Sequence, residues 1–200
     1  LARQADPLDR LVVLKRLLPN LARDAELVRQ FVDEARIAAT LSHPNVVAIY
    51  EVGEWQNFFV IAMEFILGES IAELAQAADE KGLDIPLPIS VRLVRDAALA
   101  LDHAHSATDT RGRRLNIIHR DINPQNFFLT YEGQVKIIDF GIAKLFEADQ
   151  VRGTMIGTEG YTPPEQYRGE ATPVNLTRMV GPGALAPVAE AAGLQQQHVE

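Results

Sequence analysis

The 23 residues 119–141 constrain this chain most, because they place three oxygen-bearing side chains at fixed intervals around strand-like segments. Asp121 lies in a His-Arg-Asp turn, Asn126 follows five positions later, and Asp139 opens an Asp-Phe-Gly turn. Carboxylate and amide oxygens are ligands that Mg²⁺ prefers. A carboxylate can also take the proton of a hydroxyl group. The stretch therefore predicts a site that combines a divalent cation with a general base.

Each of these motifs is weak when it stands alone. A His-Arg-Asp tripeptide is more often an ordinary turn, and Asp139 by itself is as easily a polar strand end before Gly141. The interval between Asp121 and Asn126, followed by Asp139, favours the functional interpretation over the structural one.

Composition narrows the class of protein. The chain is 47% hydrophobic and 23% charged, as soluble globular proteins are. Its net charge of −8 argues against a nucleic-acid partner, and without cysteine it has no disulfide or thiolate metal site. The longest apolar runs, such as 58–63, are too short to cross a bilayer. We expect a cytoplasmic protein with no membrane segment in this chain.

Hydrophobic periodicity predicts a mixed order of strands and helices. A helix should run from about Asp24, which can cap it, to Leu41, and a second from Val91 to His105 with Ser90 as its cap. Gly68 is expected to be a break. The other predicted elements are strands at 11–14, 46–52 and 58–65, a turn at 53–57, and a solvated loop at 108–116.

These motifs together resemble a Hanks-type protein kinase domain, most closely the bacterial Ser/Thr kinases. The resemblance implies an α+β, two-lobed fold, in which Asp121 is the catalytic base and Asn126 and Asp139 hold Mg²⁺. Lys15, at the end of Val-Val-Leu-Lys, corresponds to the lysine that neutralises the ATP phosphates. Glu34 would orient that lysine, and neighbouring Asp33 competes for the role.

The adenine ring would lie against the segment that joins the two lobes. The resemblance makes Met63 the gatekeeper and assigns the adenine hydrogen bonds to the backbone of Glu64 and Ile66. Val13 and Phe128 would sandwich the ring, although core packing explains both residues equally well.

Residues 157–165 resemble the end of an activation segment, and Arg120 is a cation that could pair with a phosphorylated residue there. Thr154 is the candidate phosphosite, whereas Thr158 is expected to bond Asp121. His119 should pack under the Asp-Phe-Gly turn.

Three features depart from the family pattern. No Gly-x-Gly-x-x-Gly loop precedes Lys15, and residues 1–3 resemble the strand after that loop. Asn123 replaces the usual lysine, so it can donate a hydrogen bond to the γ-phosphate but cannot balance its charge. Nothing after Glu170 resembles the C-terminal helices of the large lobe.

We therefore expect a kinase fold that lacks the Gly-rich loop and those helices. Residues 1–66 would form a partial small lobe with the connecting segment, 67–167 a partial large lobe, and 168–200 a disordered or frameshifted tail. The implied activity transfers phosphoryl groups from Mg-ATP to Ser/Thr hydroxyls of a protein substrate. A pseudokinase-like binding module and a non-functional fragment are the alternatives, and dimerisation is left open.

Overall fold

The computed structural model describes residues 2–3, 10–115, 117–140 and 161. Within them, two antiparallel sheets and three α-helices follow one another along the chain. In order they are β1 (Ala2–Arg3), β2 (Leu11–Arg16), α1 (Ala25–Ala38), β3 (Ile49–Trp55), β4 (Phe58–Glu64), β5 (Gly68–Ser70), α2 (Ile71–Glu80), α3 (Leu87–Ser106), β6 (Phe127–Thr130) and β7 (Val135–Ile137).

The first sheet has the strand order β1-β2-β4-β3 and carries α1. The strand expected just before β2 exists as β1, and β2 runs through Lys15 to Arg16. Asp24 caps α1 as predicted, because its carboxylate accepts the backbone N–H groups of Glu26 and Leu27. The helix ends at Ala38, three residues before Leu41, where i→i+3 hydrogen bonds tighten the chain.

The hairpin between β3 and β4 differs from the prediction. Its turn consists of Gln56 and Asn57 alone, with φ of 49° and 64°, as a two-residue hairpin turn requires. Gly53 lies inside β3 opposite Val60 rather than in a turn. Val46, predicted to begin the strand, instead makes an isolated parallel bridge with Ile137 of β7.

The second sheet, β5-β6-β7, begins at Gly68, which was wrongly predicted to be a break. Gly68 pairs with Thr130, and a Cβ atom there would lie 2.2 Å from the Leu129 carbonyl oxygen. Helix α2 was not predicted, although Ser70 and Glu73 form a capping box at its start.

Helix α3 begins at Leu87, four residues before the predicted start at Val91. Pro86 and Pro88 do not prevent this, because the first turn of a helix needs no backbone N–H donors and suits the proline φ angle. Ser90 therefore lies inside the helix and is not its cap.

One apolar core runs through both sheets. Ile61 of β4, Leu101 of α3 and Ile137 of β7 are all at most 3% exposed and belong to one packed cluster. The polar loop at 108–115 is organised by Asp109, which accepts hydrogen bonds from Arg111 and Arg113. No helix in the described ranges is long and apolar enough to span a bilayer. The predicted tail, 168–200, is outside those ranges.

Candidate active site

His119 ties the turn that carries Asp121 to the strand that leads to Asp139. Its ring is fully buried, with Nε2 2.8 Å from the Ile138 carbonyl oxygen and Nδ1 3.3 Å from the Asp121 backbone nitrogen. The backbone N–H must donate to Nδ1, so Nε2 carries the ring proton and donates to the carbonyl. The ring also lies 4.7 Å from that of Phe140, which confirms that His119 packs under the Asp-Phe-Gly turn.

Asn126 is held against Asp121. Its Nδ2 donates to the Asp121 backbone oxygen at 2.8 Å and to Oδ2 of the carboxylate at 2.9 Å. The Asn126 carbonyl accepts the N–H of Ile138 at 3.0 Å, which fixes the amide next to the strand leading to Asp139. With Nδ2 committed to Asp121, the atom that Asn126 offers to a cation is Oδ1.

Lys15, on β2 of the first sheet, contacts Asp139. Its Nζ lies 2.7 Å from Oδ1 of Asp139, although 124 residues separate the two. Asp139 takes up a left-handed backbone conformation, with φ of 58°, and so does Arg120 beside Asp121, with φ of 64°. Such conformations are costly for residues other than glycine and concentrate at functional sites.

Of the two acidic residues considered as partners of Lys15, the structure describes the side chain of Asp33. The Asp33 carboxylate is about half exposed and lies 3.9 Å from Arg36 on the same helix. Glu34 belongs to α1, but its side chain is not among the described parts of the structure. Its pairing with Lys15 therefore stays a prediction.

Asn123 is bonded within its own turn, and its predicted hydrogen bond to the γ-phosphate stays a prediction. Its side chain is 2% exposed, and its Oδ1 accepts the N–H of Gln125 to cap the short 3-10 helix Pro124–Asn126. Its Nδ2 lies 3.4 Å from the Asp121 carbonyl oxygen. An amide can satisfy these backbone groups, whereas an ammonium group cannot accept a hydrogen bond, so this residue acts inside the turn.

Four of the five residues predicted to surround adenine lie on interior strands of the two sheets, and the fifth lies in the connection between them. Val13 pairs with Met63 between β2 and β4 and is half-buried, whereas Met63 is 6% exposed. Phe128, half-buried on β6, belongs to the second sheet. Glu64 ends β4, and half-buried Ile66 follows it in the connection to β5.

An ion pair next to these residues, between largely buried Lys136 and partly buried Glu64, was not predicted. Lys136 of β7 is 10% exposed at its side chain, and its Nζ lies 2.9 Å from both carboxylate oxygens of Glu64. The available signal was a single charge within the apolar run 135–138, three residues before Asp139. A buried charge of this kind requires a partner.

Thr154, Thr158 and all of 157–165 except Tyr161 are outside the described residues, so the roles proposed for them and for Arg120 stay predictions.

The donors fit a cation that is bound largely through a nucleotide. Asp139 and Asn126 supply hard oxygen ligands, as Mg²⁺ requires, but too few for a complete shell. Across the described part of the chain, no cluster of three or more His, Asp or Glu side chains could hold a metal alone. Water and the phosphate oxygens of a nucleotide would supply the rest.

The chain belongs to the protein kinase family. A model of the protein kinase domain matches residues 4–175, which is most of its length. The protein kinase fold is thereby confirmed, with β-sheets and helices as described above, whereas the expected lack of the Gly-rich loop and of the C-terminal helices stays a prediction.

Two curated relatives differ in the acceptor that their names give. The chain is 45% identical over 169 residues to tyrosine-protein kinase MasK of Myxococcus xanthus, covering 83% of the chain and 26% of that protein. It is 35% identical over 164 residues to serine/threonine-protein kinase PrkC of Bacillus subtilis, covering 81% and 24%. The chain thus spans about a quarter of each relative.

Solved structures agree with the fold. The kinase domain of PknI from Mycobacterium tuberculosis superposes with a TM-score of 0.58 at 31% identity, over 80% of this chain and 56% of that one.

Proposed function

We propose that this chain transfers the γ-phosphoryl group of Mg-ATP to serine or threonine hydroxyls of a protein substrate. The observation that carries the proposal is the convergence of Lys15 from the first sheet with Asp139 from the second, beside the hydrogen-bonded pair of Asp121 and Asn126. Metal-assisted phosphoryl transfer requires a cation, a metal ligand and a base in one cleft.

Each side chain has a distinct task in this proposal. Asp121 would accept a hydrogen bond from the substrate hydroxyl and take its proton as the oxygen bonds to the γ-phosphorus and ADP leaves. The Asn126 amide keeps the Asp121 carboxylate oriented. Lys15 would neutralise the α- and β-phosphates, and Asp139 with Asn126 would hold Mg²⁺. When bound, Mg²⁺ supplies charge neutralisation at the phosphate oxygens.

The choice of serine and threonine over tyrosine rests on resemblance. Pro124 after the Asp121 turn and Thr158 are typical of Ser/Thr kinases. Several of the similar proteins, among them PrkC, are named serine/threonine kinases, and MasK is named a tyrosine kinase. Because the reaction consumes ATP, we propose that the domain works in the cytoplasm.

A nucleotide-binding module without transferase activity is the second candidate. The inward orientation of Asn123 favours it, because the position where the family usually has a lysine supplies no cation to the γ-phosphate. A non-functional fragment is the remaining alternative, and it would show no cooperative unfolding.

The decisive experiment is transfer of radiolabelled phosphate from ATP to dephosphorylated casein, followed by phosphoamino-acid analysis. Asp121→Asn should lower kcat by about 10²–10⁴-fold, since it removes the base, while nucleotide binding persists. Asp79→Asn, an exposed change on α2, is the matched control.

Label on serine or threonine, lost in the Asp121 variant, is the expected result. Label on tyrosine alone would overturn the proposed acceptor. Binding of Mg-ATP without any transfer would favour the second candidate.

A further inference from the structure

The strand that precedes Asp139 is joined by backbone hydrogen bonds to residues 45–47, the segment that leads into β3 of the first sheet. The N–H of Val47 donates to the Ile137 carbonyl at 2.9 Å, and the N–H of Ile137 donates to the Asn45 carbonyl at 2.8 Å. The Asn45 side chain adds a bond to the Val135 carbonyl at 2.8 Å. β7 is therefore a structural link between the two sheets.

Glu64 is held by the backbone of Ala48 and by the side chain of Lys136. Its backbone N–H donates to the Ala48 carbonyl at 2.8 Å, and its carboxylate accepts the Ala48 N–H at 3.1 Å. The Nζ of Lys136 then lies 2.9 Å from both oxygens of the carboxylate. These contacts fix the backbone at the start of the segment 64–67, which joins the sheets.

Lys136 also belongs to the surface that carries Phe128. The two residues are directly opposite each other on β7 and β6, so their side chains share one face of the second sheet. One side chain thus connects the segment expected to bond adenine with the strand expected to support its ring.

We propose that Lys136 is a positioning residue, which sets the spacing of the adenine slot by fixing Glu64 against the second sheet. This inference rests on the proposed function. Without the ammonium group, the Glu64 carboxylate would be left poorly solvated and would pull away toward water. The backbone of 64–67 would then lose its fixed distance from Phe128.

The test measures Mg-ATP affinity and turnover in the 200-residue chain for Lys136→Met, Glu64→Gln and the double variant. The Kd for Mg-ATP should rise roughly two- to thirtyfold, a typical range for residues that act on a ligand through others. At saturating nucleotide, kcat of Lys136→Met should stay near the wild-type value. Because the pair acts as a unit, the double variant should be no worse than the poorer single variant. Lys81→Met, an exposed change after α2, is the matched control.

A second measurement is independent of catalysis. Amide hydrogen exchange over 63–67, without nucleotide, should be faster in Lys136→Met than in Lys81→Met, because the Glu64 N–H bond to Ala48 is loosened. Glu64→Gln keeps the size of the side chain, and it provides the same readout if Lys136→Met does not fold.

The outcomes separate the two proposals. Weaker nucleotide binding with faster exchange over 63–67 supports the positioning role. Wild-type affinity in both single variants overturns it. If the wild-type chain binds no Mg-ATP, the proposed function fails, and unchanged exchange in the variants would then overturn the positioning role as well.

Discussion

At the scale of single residues, Asn123 is expected to stabilise the fold as a helix cap. It is 2% exposed and caps the 3-10 helix that leads to Asn126, so Asn123→Ala leaves the Gln125 N–H without its acceptor. We expect a loss of about 1–2 kcal/mol in the free energy of unfolding, the usual effect of removing a cap. Urea denaturation followed by circular dichroism measures it.

Gln125→Ala is the matched control for that change. Gln125 is exposed, and its backbone N–H, which Asn123 accepts, remains in the variant. It should unfold within about 0.5 kcal/mol of the wild type. Equal stability of the two variants would contradict a structural role for Asn123.

The same residues show how far a sequence can predict a site. The interval from Asp121 to Asn126 is local, so a single turn brings together the two residues that the motif singled out. The contact between Glu64 and Lys136 spans 72 residues and depends on how two sheets meet. No local pattern encodes that arrangement. The inward orientation of Asn123 depends likewise on backbone geometry that a residue-by-residue comparison does not contain.

At the scale of elements, α3 carries a buried carboxylate with two cations. The Asp96 side chain is 5% exposed, and its oxygens lie 2.6 Å from Nε of Arg92 and 2.6 Å from a terminal nitrogen of Arg95. Burial raises the pKa of Asp96, but the hydrogen bonds from the two arginines outweigh it and hold this pKa below its ordinary value. Folding therefore stabilises the charged form.

Asp96→Asn should consequently lower stability in a pH-dependent way. A depressed pKa contributes stability that is present above the unfolded-state pKa, near pH 4, and is lost as pH falls through the folded-state value. The variant should be about 2 kcal/mol less stable than the wild type at pH 7. The difference should shrink below about pH 4, as urea denaturation at each pH would show.

Asp102→Asn provides the comparison, because Asp102 is exposed on the same helix. The free energy of unfolding of this variant should stay close to that of the wild type at every pH. If the loss of stability in Asp96→Asn did not change with pH, its cause would be lost packing rather than lost charge.

The start of α1 was predicted correctly, whereas the end of α1 and the start of α3 were not. Asp24 begins α1 as expected, because the capping carboxylate is encoded beside the helix. β5 was missed because Gly68 looks like a turn residue in isolation, whereas close approach to Leu129 is what requires glycine there. Only the neighbouring strand reveals that requirement.

At the scale of the whole molecule, the two sheets depend on each other. The Lys15–Asp139 and Glu64–Lys136 pairs, together with backbone bonds to β7, join them at the proposed nucleotide cleft. Unfolding of either sheet would remove ligands for the nucleotide. We therefore expect nucleotide binding and the folding of both sheets to be thermodynamically linked.

This linkage gives the last prediction, a rise in melting temperature with Mg-ATP. A ligand that binds only the native state, present at 100 times its Kd, stabilises that state by about 2.7 kcal/mol. For a chain of 200 residues, this corresponds to a shift of roughly 5–10 °C. ATP with EDTA should give a smaller shift, because the phosphates then lack their cation. Differential scanning calorimetry measures all of these transitions.

The variant Asp139→Asn tests whether the magnesium-dependent part of the rise in melting temperature requires the Asp139 carboxylate. Replacing the carboxylate with an amide removes the negative charge that attracts Mg²⁺ and that Lys15 contacts. In this variant, Mg-ATP and ATP with EDTA should shift the melting temperature by similar amounts. A wild-type chain that melts without a cooperative transition, or at the same temperature with and without Mg-ATP, would contradict a folded nucleotide site. A full magnesium-dependent shift in Asp139→Asn would contradict the role given to that carboxylate.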